Sequence, residues 1–347
     1  MRNDSTKIEE RVTRTMAKSS RDYKIDWIRA LCSLTIILAH VNAPNLINQI
    51  RAFDVIALVL ISGMSFGLTE EKEYRTYIVA RTKKLLLPTY LMITTIFVMS
   101  YVAAAILNIE KLYTNEQMIR SFFLLSDGSM GYVWIVRVYF TIALIMPLCR
   151  NLIKRIETIK CFILALGTLL ILGVGLYYLG ASFQTPLVYT LYSDYIYNTF
   201  VYGCVSFAGL WFVSNKDKWR GFLFVSTVCF LVCQIVVIIN GNGFSPNAYK
   251  YPPRLYYCSY GVLVALVLYA MIRNGKNKIV IWLSRNSFSL YLWHILVLRV
   301  FGLVTKIKVL NRFETMWGIE YVFVLVGAVL LTFLWGTILR IVRRKRS

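Results

Sequence analysis

Charge is what this 347-residue chain has least of: only 16% of its residues are Asp, Glu, Lys or Arg, acids number 17 against 39 bases, and histidine occurs twice. Beside 58% hydrophobic residues and a mean hydropathy of +0.60, that scarcity excludes an ordinary soluble globule and places the chain among integral membrane proteins. No stretch is long and polar enough for a separate soluble domain, so any chemistry belongs to the membrane bundle itself. An internal repeat is missing, as is a pair of inverted halves of the kind many transporters carry, which weakens a transporter reading. The seven cysteines (Cys32, Cys149, Cys161, Cys204, Cys229, Cys233, Cys258) lie in or at the ends of apolar runs without further ligands beside them. That makes a poor metal site; they read as small apolar fillers, and no metal is expected.

What is present is a series of apolar runs near the length a bilayer demands. Ten are predicted, over 27–44, 52–68, 85–107, 132–149, 161–180, 196–213, 221–239, 255–272, 286–304 and 319–339. The expected fold is an all-α, polytopic bundle of about ten transmembrane helices with both termini cytoplasmic. Residues 1–24 form a polar cytoplasmic segment without the apolar core of a cleaved signal peptide, 25–340 the transmembrane domain, and 341–347 a basic tail. With that orientation 28 Lys and Arg face the cytoplasm and 8 the outside, while Arg29, Arg137 and Arg299 fall within spans. The positive-inside rule thus accounts for the formal net charge of +22 without a nucleic acid. Gly173, Gly175, Gly203 and Gly209 read as places of close helix packing.

An ionisable group inside a span costs about 2.5–3.5 kcal/mol on insertion scales, so each is a functional hypothesis. The first span, DWIRALCSLTIILAHVNAP, carries Asp26, Arg29 and His40. Eleven residues separate Arg29 from His40, which on a continuous helix puts them on nearly the same face about 16 Å apart. A cytoplasmic anion at Arg29 and a reacting group at His40 would share that face; the alternative is an arginine snorkelling to headgroups and a histidine bonded to a neighbouring helix. Asp54 opens the second span from outside, either to hold the His40 tautomer or as a plain N-terminal cap. Ser62 and Gly63 near its inner end offer a small hydroxyl and a close backbone approach.

Arg81, Lys83 and Lys84 precede Pro88 in YIVARTKKLLLPTY, as a phosphate-binding cluster would and as ordinary positive-inside residues also do. His294 falls near the middle of the ninth span, with Ser287 and Tyr291 along one face; it acts chemically or bridges helices. Arg137 in GYVWIVRVYF, and Arg254, Tyr256 and Tyr257 after NAYKYPP, complete the unusual residues.

In this order the motifs resemble the integral-membrane acyltransferase-3 family, which includes bacterial surface-polysaccharide O-acetyltransferases. The resemblance runs from Tyr23 to Ile338 through Asp26, Arg29 and His40, then Asp54, Ser62 and Gly63, then Arg81, Lys84 and Pro88. Trp134, Arg137 and Tyr139, Pro252 and Pro253, and Tyr291 and His294 follow. Lys84 stands where family members often have arginine, which keeps the charge and loses the planar fork.

The resemblance implies transfer of an acyl group, usually acetyl from cytoplasmic acetyl-CoA, to a hydroxyl of a lipid-linked or surface glycan at a bacterial inner (plasma) membrane. His40, Asp54 and His294 would be catalytic. Asp26, Arg29, Ser62, Arg81 and Lys84 would bind the donor, and Arg137, Tyr139, Tyr256 and Tyr291 would contact the acceptor or the oxyanion. His40 would act as general base or accept the acyl group covalently. The expected partners are therefore the bilayer, acyl-CoA and a glycan. A transporter or flippase for a glycolipid or small anion is the rival from another class.

Overall fold

A computed structural model describes residues 21–108, 110–156, 158–305, 313 and 315–344. Most of the N-terminal polar segment and the last residues of the basic tail lie outside the described residues. Among the described residues all regular structure is helical: α1 (Tyr23–Leu38), α2 (Asn45–Ile50), α3 (Asp54–Gly67), α4 (Tyr74–Leu107), α5 (Asn115–Phe122), α6 (Trp134–Ile153) and α7 (Ile159–Ala181). There follow α8 (Pro186–Tyr192), α9 (Asn198–Ser214), α10 (Trp219–Ile239), α11 (Leu255–Met271), α12 (Lys278–Val304) and α13 (Trp317–Arg344). Helices are the form that satisfies every backbone polar group within one apolar segment. Eight of the described helical segments are long and apolar enough to cross a membrane. The other two predicted spans are the shorter helices α1 and α11, of 16 and 17 residues.

Local chemistry sets the ends. Asp22 caps α1 by accepting the Lys24 N–H, and its carboxylate also takes Lys216 and the Tyr269 hydroxyl, each at 2.7 Å. Burial works against that charge, but these partners prevail and hold the carboxyl below its usual range. Thr158 and Asn277 cap α7 and α12, and Thr114 forms a reciprocal capping box with Gln117 on α5.

Two boundaries differ from expectation, and both bear on function. The first helix was expected to continue to residue 44 but stops at Leu38; Ala39 and His40 close a tighter turn, with the His40 N–H on the Ile37 carbonyl at 3.1 Å. Pro44 disfavours helical geometry at the residue before it, and the chain reverses there into α2. His40 is therefore placed by a turn, not by the helical repeat that links it to Arg29. Conversely α4 begins at Tyr74, eleven residues before the predicted span. Arg81 and Lys84 thus sit three apart on one face of a helix.

The bundle is layered by burial. The span that includes α3 is 72% buried and the one that includes α9 67%, whereas α7 is 6% and α10 17% buried, so α3 and α9 form the centre and the latter pair face lipid. α1 packs against α3 and α12, and α12 against α13. The α3–α9 contact is backbone to backbone: a Cβ at Gly63 would stand 1.8 Å from the Ser206 carbonyl oxygen, and one at Gly209 2.0 Å from that of Leu60. Gly175 meets nothing within 4 Å, so the packing role expected there is absent. Overpacking costs about 1–3 kcal/mol. Gly63→Ala and Gly209→Ala are expected to lower the melting temperature in detergent, with Gly175→Ala unchanged; an unshifted melting temperature in the first two would refute the contact.

Candidate active site

At one end of the bundle the N-terminal half of α1 meets α12 and α3. Asp26 is buried and takes Arg21 through both carboxylate oxygens, at 2.6 and 2.8 Å. The Ser284 hydroxyl of α12 donates to Asp26 at 2.6 Å and accepts from the Arg29 guanidinium at 3.3 Å. The other arm of Arg29 donates to Ser65 on α3, whose own hydroxyl donates to the Ile61 carbonyl at 2.6 Å. Asp26 thus positions Arg29 through a shared serine.

Several cations at this end are held by named partners. Arg21 is paired with Asp26, Lys216 with Asp22 and Lys154 with Glu71, and Arg150 donates to the Phe66 and Thr69 carbonyls. Arg29, Arg81 and Lys84 are different. Among the described residues none of the three forms an ion pair, and their charges act on one another. Arg81 lies over the Tyr77 ring at 5.1 Å. Asp26 offsets part of the Arg29 charge, but like charges gathered so closely cost free energy unless a further anion joins them. Tyr139 of α6 stands inward from this cluster, close enough to be influenced by Arg29 and to influence Tyr291.

Towards the other end, the two histidines meet although 254 positions separate them. His40 Nδ1 lies 2.9 Å from His294 Nε2, with the rings stacked at 4.9 Å between centroids. His294 is fully buried, and its Nδ1 contacts the Tyr291 carbonyl one turn back on α12. A carbonyl only accepts, so His294 Nδ1 carries the proton. Its Nε2, in the neutral ring, is then an acceptor, and the proton between the two rings belongs to His40 Nδ1. His40 Nε2 is left with its lone pair free. The structure around the pair is tight: the Tyr132 ring stands edge-on to His40 at 4.8 Å, and the Tyr291 hydroxyl donates to the Tyr132 carbonyl. Asn42, two residues after His40, donates its N–H to Glu320 of α13 at 3.3 Å.

Two further cations approach His40 from the loops at this end, Arg51 and Lys250. Arg51 is paired with Asp54 at 3.1 Å. Lys250 is buried, lies 5.2 Å over the Tyr251 ring and 5.7 Å over that of Trp134, and forms no ion pair among the described residues.

Several expected participants are placed elsewhere. Asp54 does not hold the His40 imidazole: its carboxylate takes Arg51 and the Val55 N–H, and His294 occupies the His40 Nδ1 position. Ser62 has no hydrogen-bond partner among the described residues; Ser65, one turn on, is the serine that meets Arg29. Arg137 is 1% exposed and braces the interior through Asp194 at 2.7 Å and the Leu124 carbonyl at 2.6 Å. Tyr256 donates to Gln234 at 2.6 Å and receives Ser245, which ties down the loop before α11. Sequence reasoning missed Ser65, Ser284, Tyr132 and Lys250. Of these only Ser65 had a signal, since Ser62 and Ser65 are three apart on a helix already under suspicion.

The family model described as an acyltransferase domain matches residues 22–337, a stretch that holds Asp26, Arg29, Arg81, Lys84 and both histidines. No curated protein and no solved structure matches the chain. A match across almost the whole bundle settles the family, and with it the general activity: the chain belongs to the acyltransferase-3 family and is a multi-pass membrane acyltransferase.

Proposed function

We propose that the protein moves an acyl group, acetyl first among them, from acyl-CoA at its basic end to a hydroxyl of a lipid-linked or surface glycan at the other. The observation that carries this is the free lone pair of His40 Nε2, fixed by His294 and the Tyr291 carbonyl, with His294 ten residues or about 15 Å along the continuous α12 from Ser284, the serine that meets Arg29 of the basic cluster. Arg29, Arg81 and Lys84 suit the phosphates of CoA, and its pantetheine arm would run past Tyr139 towards His40. The positive-inside rule supports a cytoplasmic position for the basic end, in a bacterial inner membrane.

In the transfer step the acceptor hydroxyl loses its proton to His40 Nε2 as its oxygen attacks the thioester carbonyl. The proton then leaves with the departing CoA thiolate, so base and acid are one group. Lys250 and Arg51 supply positive potential where the tetrahedral oxyanion develops. An acyl-histidine route would use the same lone pair as nucleophile.

The test is thiol release from acetyl-CoA by purified protein with native membrane glycolipids as acceptor, together with the melting temperature in acetyl-CoA. Release that requires acceptor, and a raised melting temperature, are expected. Neither effect in the wild type would remove the acyl-CoA reading. Arg81→Gln with Lys84→Gln is expected to raise KM for acetyl-CoA roughly tenfold with kcat little changed, an effect shrinking at high salt. An unchanged KM would take both residues out of the donor site.

A further inference from the structure

One intramembrane cation remains without a task. Arg299 lies on α12 five residues beyond His294. Its guanidinium is turned inward, 5.5 Å over the Tyr113 ring and 5.2 Å over the Tyr132 ring. Among the described residues it has no carboxylate, and its only hydrogen bond is a long one of 3.5 Å to the Met130 carbonyl. Its Nε is buried without a partner, as is the Tyr113 hydroxyl beside it. Arg299 lines a groove of about 180 Å³ between α4 and α12, walled by Ile96, Met99, Leu112, Leu296 and Leu303 and with Arg299 as its one charged lining residue. A larger concave surface runs along α4 from Leu87 to Met99, but no charged side chain lines it.

Depth along α12 identifies the occupant. From Lys278 the helix rises about 24 Å to His294 and about 32 Å to Arg299. The hydrocarbon core is about 30 Å thick and α12 ends five residues on, at Val304, so Arg299 stands in the outer part of the span, where its long side chain can meet a phosphate of the far leaflet. The groove has the space of about six waters at about 30 Å³ each, or a similar number of methylenes, which suits a stretch of one chain. One ring, Tyr132, separates the guanidinium from His40. We infer that this groove is a lateral entry for the acceptor. Arg299 holds the phosphate of a single-chain, isoprenoid-type lipid phosphate, the chain lies between α4 and α12, and the sugar beyond the phosphate reaches His40 over Tyr132. The inference rests on the acyl-transfer reading for its purpose but not for its test.

An arginine that merely snorkels to headgroups would favour any anionic lipid and turn outward; here the guanidinium is folded over two rings towards the histidines. The experiment is thermal unfolding of the detergent-purified full chain titrated with undecaprenyl phosphate, undecaprenol or phosphatidylglycerol. Undecaprenyl phosphate is expected to raise the melting temperature at concentrations where the other two do not. Arg299→Gln is expected to weaken that response about tenfold or more, and Arg299→Lys to keep most of it. Gly302 lines the same groove, and a Cβ there meets nothing within 4 Å. Gly302→Leu should therefore block binding while the lipid-free protein melts as the wild type does, which keeps the test open if Arg299→Gln does not fold. Equal responses to all three lipids, or undiminished binding in Gly302→Leu, would overturn the inference. Thiol release on the same preparations separates the two readings. Release without lipid binding fails the groove alone, and lipid binding without release fails the acyl-CoA reading alone.

Discussion

His40→Ala is expected to reduce acyl transfer by about 10²–10⁴-fold, the range for loss of a positioned general base, while expression, folding and acetyl-CoA binding stay near wild type. Structure and chemistry separate cleanly at this residue. His40 lies in the turn after α1 and carries no helix, and its partner His294 is ten residues or about 15 Å along α12 from Ser284, which meets Arg29 of the cluster expected to hold the donor. His294→Ala should cost less, because a water entering the space can accept from His40 Nδ1, although the tautomer is then held less firmly. The two rings act as one unit, so the double variant should be little worse than His40→Ala alone. Turnover, acetyl-CoA affinity and melting temperature measured on all three variants decide the matter. Full turnover in His40→Ala would end the assignment. Loss of acetyl-CoA binding in that variant would move His40 from the chemistry to the donor pocket.

The second large effect is on stability. Arg137→Met is expected to destabilise the protein by about 3–5 kcal/mol, the cost of leaving one charge of a buried pair uncompensated. Asp194 gathers Arg137 at 2.7 Å, both the N–H and the hydroxyl of Ser126, and the Asn198 amide at 3.3 Å. It thereby ties α6 to the loop after α5 and to the π-helical turn Ser193–Tyr197 that leads into α9. Asp194→Leu should be similarly damaging, and Arg137→Met combined with Asp194→Leu should recover much of the loss, since two apolar side chains need no partner. Melting temperatures of the three variants form the cycle. Should Arg137→Met melt normally and instead raise KM for the acceptor, Arg137 would be the acceptor contact that its place in the motif order suggested.

The contrast between these residues shows what the sequence made legible. The positions of the ten apolar runs were readable because hydropathy is a local property, summed over neighbours in the chain. The uncommitted cations were half readable: R–x–x–K places Arg81 and Lys84 on one helical face. That Arg21 meets a carboxylate, Arg150 two carbonyls and Arg29 two serine hydroxyls depends on what the fold brings to each one. Arg29 and His40 were linked by a helical repeat, and that repeat ends at Leu38. The His40–His294 bond joins residues 254 apart, and no local pattern encodes such a meeting. Asp54 failed as a partner for the same reason: proximity in depth was inferred from a short loop, but Arg51, three residues away, captures the carboxylate. Ser284 and Tyr132 are ordinary residues at ordinary positions until the fold brings α12 against α1.

The short chain of hydrogen bonds behind His40 ends at the main-chain carbonyl of Tyr291. A carboxylate or a file of waters at that point would pass protons onward, and the protein would offer them a path between the two sides of the bilayer. An amide carbonyl takes no proton, so this wire is closed at its far end. In the proposed transfer, the proton that His40 would take from a hydroxyl has no exit through His294 and would leave by the edge of the ring on which it arrived, to the departing thiolate. On that mechanism each turnover is electrically silent at the histidine pair: the membrane potential neither drives the proton nor holds it back, and an idle enzyme does not discharge the membrane it sits in.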